Sequence, residues 1–165
     1  MKVMSRWGKN VNLKSPLQEY PRMQLQRGSY TNLNGRWEYQ ITDTNQIPQE
    51  HSWKPINVPF PLGSELSGSD EILLPGKVLW YKKQFSYKPG EYHTHLNFEA
   101  VDQQCIVYLN GIEVGRHIGG YEPFSFDVSS YIKYQNALLV KCTDPSDTGE
   151  YAYGKQKIQH GGMWY

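Results

Sequence analysis

The stretch QCIVYLNGIEVGRHI, residues 104–118, places two short apolar runs on either side of an Asn-Gly dipeptide at 110–111. Cys105, Val107 and Leu109 occupy alternate positions, as expected of a strand with one buried face. Asn-Gly between two such runs favours a type I′ turn, because both central residues of that turn need a positive φ. This stretch therefore predicts an antiparallel β-hairpin.

Similar strand-like runs lie on both sides of this hairpin. They are short, rich in aromatic and β-branched residues, and separated by Gly, Pro, Asn and Ser. No segment shows a sustained period of 3.6 residues, which would indicate a helix. The fold class predicted is all-β, an antiparallel jelly-roll β-sandwich. The other runs are residues 35–41, 56–58, 77–87, 93–101, 124–129 and 136–144.

Composition and charge exclude several classes of partner. The 17 Lys and Arg residues nearly balance the 16 Asp and Glu residues, so nothing indicates binding to nucleic acid or to an anionic membrane. The N-terminal residues lack an apolar segment typical of a signal peptide, which favours a cytoplasmic location. Cys105 and Cys142 alone form neither a disulfide framework nor a metal-binding spacing, and no metal or cofactor is expected.

The chain divides into three parts. Residues 1–31 lack periodicity and are expected to form an extended N-terminal arm, whereas residues 32–146 contain the strands of the sandwich. Residues 147–165 are interpreted as a C-terminal segment that leads to further domains. With 165 residues in all, the chain is long enough for one substantial core.

The order of the motifs from residue 33 onward resembles the N-terminal sugar-binding domain of glycoside hydrolase family 2. This family includes β-galactosidases, β-glucuronidases and β-mannosidases. The resemblance implies a jelly roll that precedes an immunoglobulin-like domain and a catalytic (β/α)₈ barrel in one longer chain. The matching pieces are LNGRWEY (33–39), WKPINVPFPLGSELSG (53–68), LWYKKQF (79–85), residues 96–132, NALLVKCTD (136–144) and GGMWY (161–165).

The resemblance also implies that the catalytic groups lie in another domain. A retaining β-glycosidase uses two carboxyl groups, and the family carries both in the barrel. This chain is accordingly expected to contain no catalytic residue and to act as an accessory domain that braces the barrel and contacts carbohydrate. Its partners would be the other domains of its own full-length chain.

The loop PFPLGSELSG, residues 59–68, is the first candidate for a substrate contact. In the lac-type enzymes of the family, the corresponding loop offers an Asn side chain to the sugar, and the matching position here is Glu65, with Ser64 and Ser67 beside it. A carboxylate accepts hydrogen bonds from sugar hydroxyls. The alternative is that these side chains only cap the backbone of their own loop.

The C-terminal element YAYGKQKIQHGGMWY, residues 151–165, is the second candidate. Lac-type β-galactosidases carry an Asp directly before Met-Trp, where this chain has Gly162, so a sodium site and galactose recognition of that type are not expected. The alternative to a substrate role is a tail that orders only against other domains. The residues proposed to line the substrate cleft here are Lys155, Gln156, His160 and Trp164.

Other polar groups favour simpler interpretations. The carboxylates of DPSDTGE, residues 144–150, are interpreted as a solvated turn. His93 and His95 lack a third ligand and are expected at an exposed strand edge, while His117 is expected to be a surface or hydrogen-bonded residue.

Two further functions remain open. A self-sufficient carbohydrate-binding module would use exposed aromatic rings as its platform, and Trp53 and Trp164 flank loops. A purely structural interaction sandwich would need none of the candidate residues.

Overall fold

A computed structural model describes residues 4–19 and 29–145, together with the backbone of 162–164. Nearly all the regular secondary structure of these residues is strand, which confirms the antiparallel β-sandwich. Two short 3₁₀ turns, Gly8–Asn10 and Glu50–Ser52, are the helical elements of these residues. The strands are β1 (Gly35–Thr42), β2 (Lys54–Val58), β3 (Val78–Ser86), β4 (His95–Phe98), β5 (Ala100–Asp102), β6 (Gln104–Leu109), β7 (Ile112–Ile118), β8 (Phe124–Asp127), β9 (Gln135–Thr143) and β10 (Gly162–Trp164).

Six strands form one antiparallel sheet in the order β2-β1-β3-β9-β6-β7. Two smaller antiparallel pairs, β4 with β8 and β5 with β10, complete the described strands. The predicted hairpin joins β6 to β7, and Asn110 and Gly111 have φ values of 54° and 85°. Positive φ at both positions is what the type I′ turn requires, so this prediction is confirmed.

A bulge in β7 brings the six-stranded sheet into close contact with the β4–β8 pair, which forms the second layer of the sandwich. Val107 lies opposite Gly115, whereas Tyr108 lies opposite Glu113, so the register shifts by one residue. A Cβ atom at Gly115 would lie 2.1 Å from Cε1 of Phe126 on β8. Glycine is therefore required here for the approach of an aromatic ring.

The predicted strand 93–101 is wrong as a single element. The structure divides it into β4 and β5 at Glu99, and the two halves pair with different partners. Leu96 on β4 lies opposite Phe126 on β8, while Val101 on β5 lies opposite Met163 on β10. The sequence pattern does not indicate this division, because Leu96, Phe98 and Ala100 alternate as they would in one strand.

The core lies between the six-stranded sheet and the second layer, but β3 is buried on both of its faces. Five consecutive residues, Val78–Lys82, are buried, and Trp80 points away from the core yet is 0% exposed. Its indole nitrogen donates to Oγ1 of Thr42 at 3.2 Å, and its ring stacks on that of Tyr108 with 6.2 Å between the ring centres. Trp37, in contrast, lies in the core.

The described part of the N-terminal arm lies against the start of β1. Asn32 donates from its side-chain amide to the carbonyl oxygen of Leu17 at 2.9 Å, and Asn34 donates to the same oxygen at 3.3 Å. None of the helical segments in the described residues is long and apolar enough to cross a membrane.

Candidate functional site

The segment between β2 and β3, residues 59–77, carries the predicted substrate loop. Two leucines of this segment pack in the core: Leu62 is 1% exposed and Leu73 is fully buried. Because both ends of the segment contribute to the core, the turns between them have fixed attachment points. The loop is thus a part of the folded sandwich and not a loose connection.

Two consecutive turns shape the loop around Glu65. The amide of Ser64 donates to the carbonyl oxygen of Pro61 at 3.0 Å, and the amide of Gly68 donates to that of Glu65 at 3.3 Å. Gly68 has a φ of 77°, a conformation that glycine adopts without strain. The side chain of Glu65 lies at an exposed position at the start of the second turn.

Asn57 on β2 donates two hydrogen bonds to this turn. Its backbone amide donates to the carbonyl oxygen of Ser67 at 2.9 Å, and its side-chain amide donates to that of Leu66 at 3.2 Å. Since β2 is hydrogen-bonded to β1, these two bonds connect the turn directly to the large sheet. The position of Glu65 is therefore set by the sheet edge.

Ser64 and Ser67 make hydrogen bonds to their own loop. Ser67 is 0% exposed, and its hydroxyl donates to the carbonyl oxygen of Ser64 at 2.8 Å while it accepts from the amide of Ser69 at 3.1 Å. The hydroxyl of Ser64 in turn accepts from the amide of Ser67 at 3.3 Å. These contacts match the alternative in which serine side chains cap the loop backbone.

A second polar cluster lies next to the loop and was not predicted from the sequence. The phenol of Tyr39 lies 2.7 Å from the hydroxyl of Ser69 and donates to Oε2 of Glu71 at 2.6 Å. The ammonium of Lys54 donates to Oε1 of Glu71, also at 2.6 Å. Because 30 or more residues separate Tyr39 from its partners, no local pattern in the sequence indicates this cluster.

The contacts in this cluster shift two pKa values in opposite directions. Burial and the hydrogen bond to Glu71 raise the pKa of Tyr39 to about 12. The hydrogen bonds from Lys54 and then from Tyr39 lower the pKa of Glu71. At neutral pH the cluster therefore consists of an ionised carboxylate held by a protonated phenol and an ammonium group.

The C-terminal candidates lie mostly outside the residues that the structure describes. Lys155, Gln156 and His160 belong to this undescribed part, so their role stays a prediction. The backbone of Trp164 lies in β10, opposite Ala100 of β5. The strand pairing therefore places residues 162–164 beside β5.

Trp53 is less exposed than the sequence suggests. It is half-buried at the start of β2, and the ammonium of Lys82 lies 4.8 Å from the centre of its ring. Its indole nitrogen is buried without a hydrogen-bond partner among the described residues. One face of the ring is thus occupied by a cation–π contact, which weakens the case for a sugar-stacking platform at this residue.

Two further expectations need correction. Asp144, expected in a solvated turn, is 7% exposed, because it directly follows the central strand β9. His117, expected at the surface or hydrogen-bonded, stacks on Phe124 with 4.1 Å between ring centres. Its Nε2 atom is buried without a partner among the described residues, since β7 turns this side chain toward the second layer.

His93 and His95 are both exposed, as predicted. Nδ1 of His93 lies 2.8 Å from Oδ2 of Asp127 on the loop side of β8. The hydroxyl and amide of Ser129, followed by His93, lower the pKa of Asp127. This contact joins the loop before β4 to the end of β8 and is a structural pair.

Similarity to known proteins identifies the family of this chain. The family model "Glycosyl hydrolase 2 galactose-binding domain-like" matches residues 69–162. The chain belongs to this family. The resemblance given by the sequence motifs is thereby confirmed, although the matched region begins just after the loop that contains Glu65.

Individual members of glycoside hydrolase family 2 show the same relationship. The chain is similar to a putative β-glucuronidase of Formosa agariphila, with 33% identity over 125 residues, 70% of this chain and 15% of that protein. It is also similar to a β-galactosidase of Thermoanaerobacter pseudethanolicus, with 48% identity over 63 residues, 36% of this chain and 8% of that protein. The chain therefore spans a small part of the length of these relatives.

A solved structure shares the fold of the family 2 domain. The β-glucuronidase of Ruminococcus gnavus aligns with a TM-score of 0.61 and 22% identity, over 76% of this chain and 23% of that one. At this identity the likeness concerns the fold alone. The β-sandwich topology therefore persists where most residues differ.

Proposed function

We propose that this chain is a non-catalytic accessory domain of a longer family 2 retaining β-glycosidase. In that protein it braces the catalytic barrel and carries one loop to the substrate. The small share of the relatives that this chain spans supports the presence of further domains. In this proposal they include an immunoglobulin-like domain and the barrel. The chemistry itself belongs to two carboxyl groups of the barrel.

The fixed position of Glu65 is the observation on which the proposed loop function rests. The carboxylate lies at an exposed position, yet its turn is held by Asn57 and by the buried Ser67. Because the backbone of this turn is already ordered, it loses little conformational entropy when the side chain binds. A carboxylate in this setting accepts hydrogen bonds from two neighbouring hydroxyls of a sugar.

Ser64 and Ser67 take a supporting role in this proposal. Their hydroxyls are engaged with the loop backbone, so they hold Glu65 in place and do not contact the sugar. Lys155, Gln156, His160 and Trp164 remain proposed substrate contacts in the C-terminal segment. Since another domain completes the site, the isolated chain has weak affinity for simple sugars.

The test compares Glu65→Gln with the unaltered full-length glycosidase. We expect kcat/KM to fall about tenfold or more, because a hydrogen bond to a charged group contributes about 1.5–3 kcal/mol. Glu91→Gln, at an exposed position in the loop before β4, is the matched control and leaves kcat/KM unchanged.

Two results would contradict the proposal. Unchanged kinetics of Glu65→Gln would favour a purely structural sandwich. Tight binding of a simple sugar by the isolated chain, measured by calorimetry, would favour a self-sufficient carbohydrate-binding module. In that case Trp53→Ala should abolish retention on a polysaccharide gel.

A further inference from the structure

A cleft opens where β1 and β3 separate within the large sheet. The two strands are paired from Thr42 opposite Val78 as far as Glu38 opposite Lys82. Beyond that point, β1 continues beside β2 and β3 continues beside β9. The separation leaves an open cleft of about 480 Å³, a size that accommodates a small molecule. Its lining residues are Arg36, Trp37, Glu38, Lys82, Lys83 and Gln84.

The cleft contains more positive than negative charge. Three of its lining residues are cations and one is a carboxylate. Lys82 is neutralised within the fold, with its ammonium 3.3 Å from Glu38 and 3.4 Å from Glu50. In the part of the chain that the structure describes, no carboxylate lies within 4.0 Å of the side chains of Arg36 or Lys83. Arg36 and Lys83 are therefore the two cations of the lining without a carboxylate partner among the described residues.

The side chain of Lys83 connects the two strands that border the cleft. Its ammonium donates to the backbone carbonyl oxygen of Arg36 at 2.7 Å and so crosses from β3 to β1. An ammonium group has three hydrogens, and this bond uses one of them. The side chain is half-buried, and this burial lowers the pKa of Lys83. A bound anion would offset that desolvation and would use the remaining hydrogens.

We propose that this cleft binds the carboxylate of a small organic acid, with Arg36 and Lys83 as its charged ligands. The planar guanidinium of Arg36 presents parallel N–H groups to two carboxylate oxygens, while Lys83 acts as a point charge across the cleft. The side-chain amide of Gln84 adds a neutral donor. The open volume beside these groups leaves room for a ring attached to the carboxylate, as in a sugar acid.

This site is separate from the loop that contains Glu65. The cleft lies between β1 and β3, whereas the loop is attached to β2 on the other side of β1. A cationic cleft also selects the opposite ligand chemistry from a carboxylate that grips neutral hydroxyls. The two sites can therefore succeed or fail independently.

The experiment is a titration of the isotope-labelled 165-residue chain, followed by two-dimensional amide NMR spectra. The probes are sodium acetate, sodium D-galacturonate and, as the neutral counterpart, D-galactose. Sodium chloride keeps the ionic strength constant, because general screening would otherwise imitate binding. We expect both carboxylates to give saturable shifts at the amides of residues 36, 83 and 84, and galactose to give none there.

Substitutions make the assignment specific. Arg36→Gln and Lys83→Gln should each weaken acetate and galacturonate binding about fivefold or more, since each removes one charge-assisted hydrogen-bonding group. Lys88→Gln, an exposed lysine beyond the end of β3, is the control and leaves both affinities unchanged. Tighter binding of galacturonate than of acetate would identify a sugar acid as the preferred carrier.

Several results would overturn the proposal. The unaltered chain would show no saturable shift in the cleft with either carboxylate. Galactose would produce the same shifts as galacturonate, which would mean that the charge is irrelevant. Alternatively, the carboxylates would bind both substituted chains as well as they bind the unaltered one.

Discussion

The phenol oxygen of Tyr39 lies 2.6 Å from Oε2 of Glu71, so a strand of the large sheet is bonded directly to the segment that carries the candidate loop. Lys54 on β2 donates to the other oxygen of the same carboxylate at 2.6 Å. Glu71 thereby accepts hydrogen bonds from two neighbouring strands. The segment between β2 and β3 is held to the sheet by polar contacts as well as by Leu62 and Leu73.

Tyr39→Phe tests how much this contact stabilises the fold. The substitution removes the hydroxyl that contacts Ser69 and Glu71 while it keeps the buried ring. We expect the free energy of unfolding to fall by about 1–3 kcal/mol, as for a hydrogen bond to a charged group. Urea denaturation of the isolated chain measures the change, and Tyr92→Phe at an 88% exposed position should have almost no effect. Equal stabilities of the two variants would rule out a stabilising role for the Tyr39 hydroxyl.

The same cluster predicts a dependence of stability on pH. The folded state lowers the pKa of Glu71 below its ordinary value of 4.5, chiefly through the hydrogen bond from Lys54. Its stabilising contribution is therefore complete above the unfolded pKa and is lost as the pH falls through the lower folded pKa. We expect the stability difference between the unaltered chain and Glu71→Gln to shrink as the pH falls from neutral to below the ordinary pKa of 4.5. A difference that stays constant in denaturation curves across this range would contradict the assignment.

Gly115→Ala tests the close contact between the two layers. The new Cβ would meet the ring of Phe126 at 2.1 Å, so the ring or the bulge must move. We expect a loss of about 1–3 kcal/mol in the free energy of unfolding, as for other overpacked interiors. Gly90→Ala is the control, because a Cβ there meets nothing within 4 Å. Thermal or urea denaturation of both variants measures the contrast, and a harmless Gly115→Ala would show that the layers can separate at this point.

Ser67→Ala separates positioning from direct contact in the candidate loop. The substitution removes a buried hydroxyl that donates to Ser64 and accepts from Ser69, and the expected cost is about 1 kcal/mol of stability. In the full-length glycosidase we expect kcat/KM to fall by less than it does in Glu65→Gln, because Ser67 acts through the turn. The reverse order of the two effects would show that the shape of the turn, and not the Glu65 carboxylate, determines the kinetics.

The hairpin at 110–111 could be predicted because its cause is local. An Asn-Gly pair between alternating apolar residues selects one turn type, and the φ values agree with it. The division of 93–101 into two strands depends instead on which strands approach from elsewhere in the chain. Likewise, the burial of Asp144 and the stacking of His117 on Phe124 follow from layer packing, which sequence periodicity does not contain.

In the candidate site, too, contacts between residues close in the chain could be predicted from the sequence, whereas contacts between distant residues could not. The family resemblance indicated residues 59–68 as a candidate substrate loop, and the serine contacts follow from local turn chemistry. The cluster of Tyr39 with Glu71 joins residues 32 positions apart and could not be inferred from spacing. The cleft at Arg36 and Lys83 requires knowledge of where two paired strands separate.

The burial of β3 on both faces has a consequence for how the sandwich opens. Amides in the first half of β3, such as those of Leu79 and Tyr81, lie where the strand is covered on both faces, and we expect them to exchange with solvent only when the whole domain unfolds. β2 and β7 form the edges of the same sheet and can open by themselves. Because the Glu65 loop is attached to the edge strand β2, its local opening costs less free energy than unfolding of the centre. Opening of this edge would therefore release the turn that holds Glu65 while the centre of the sheet stays closed.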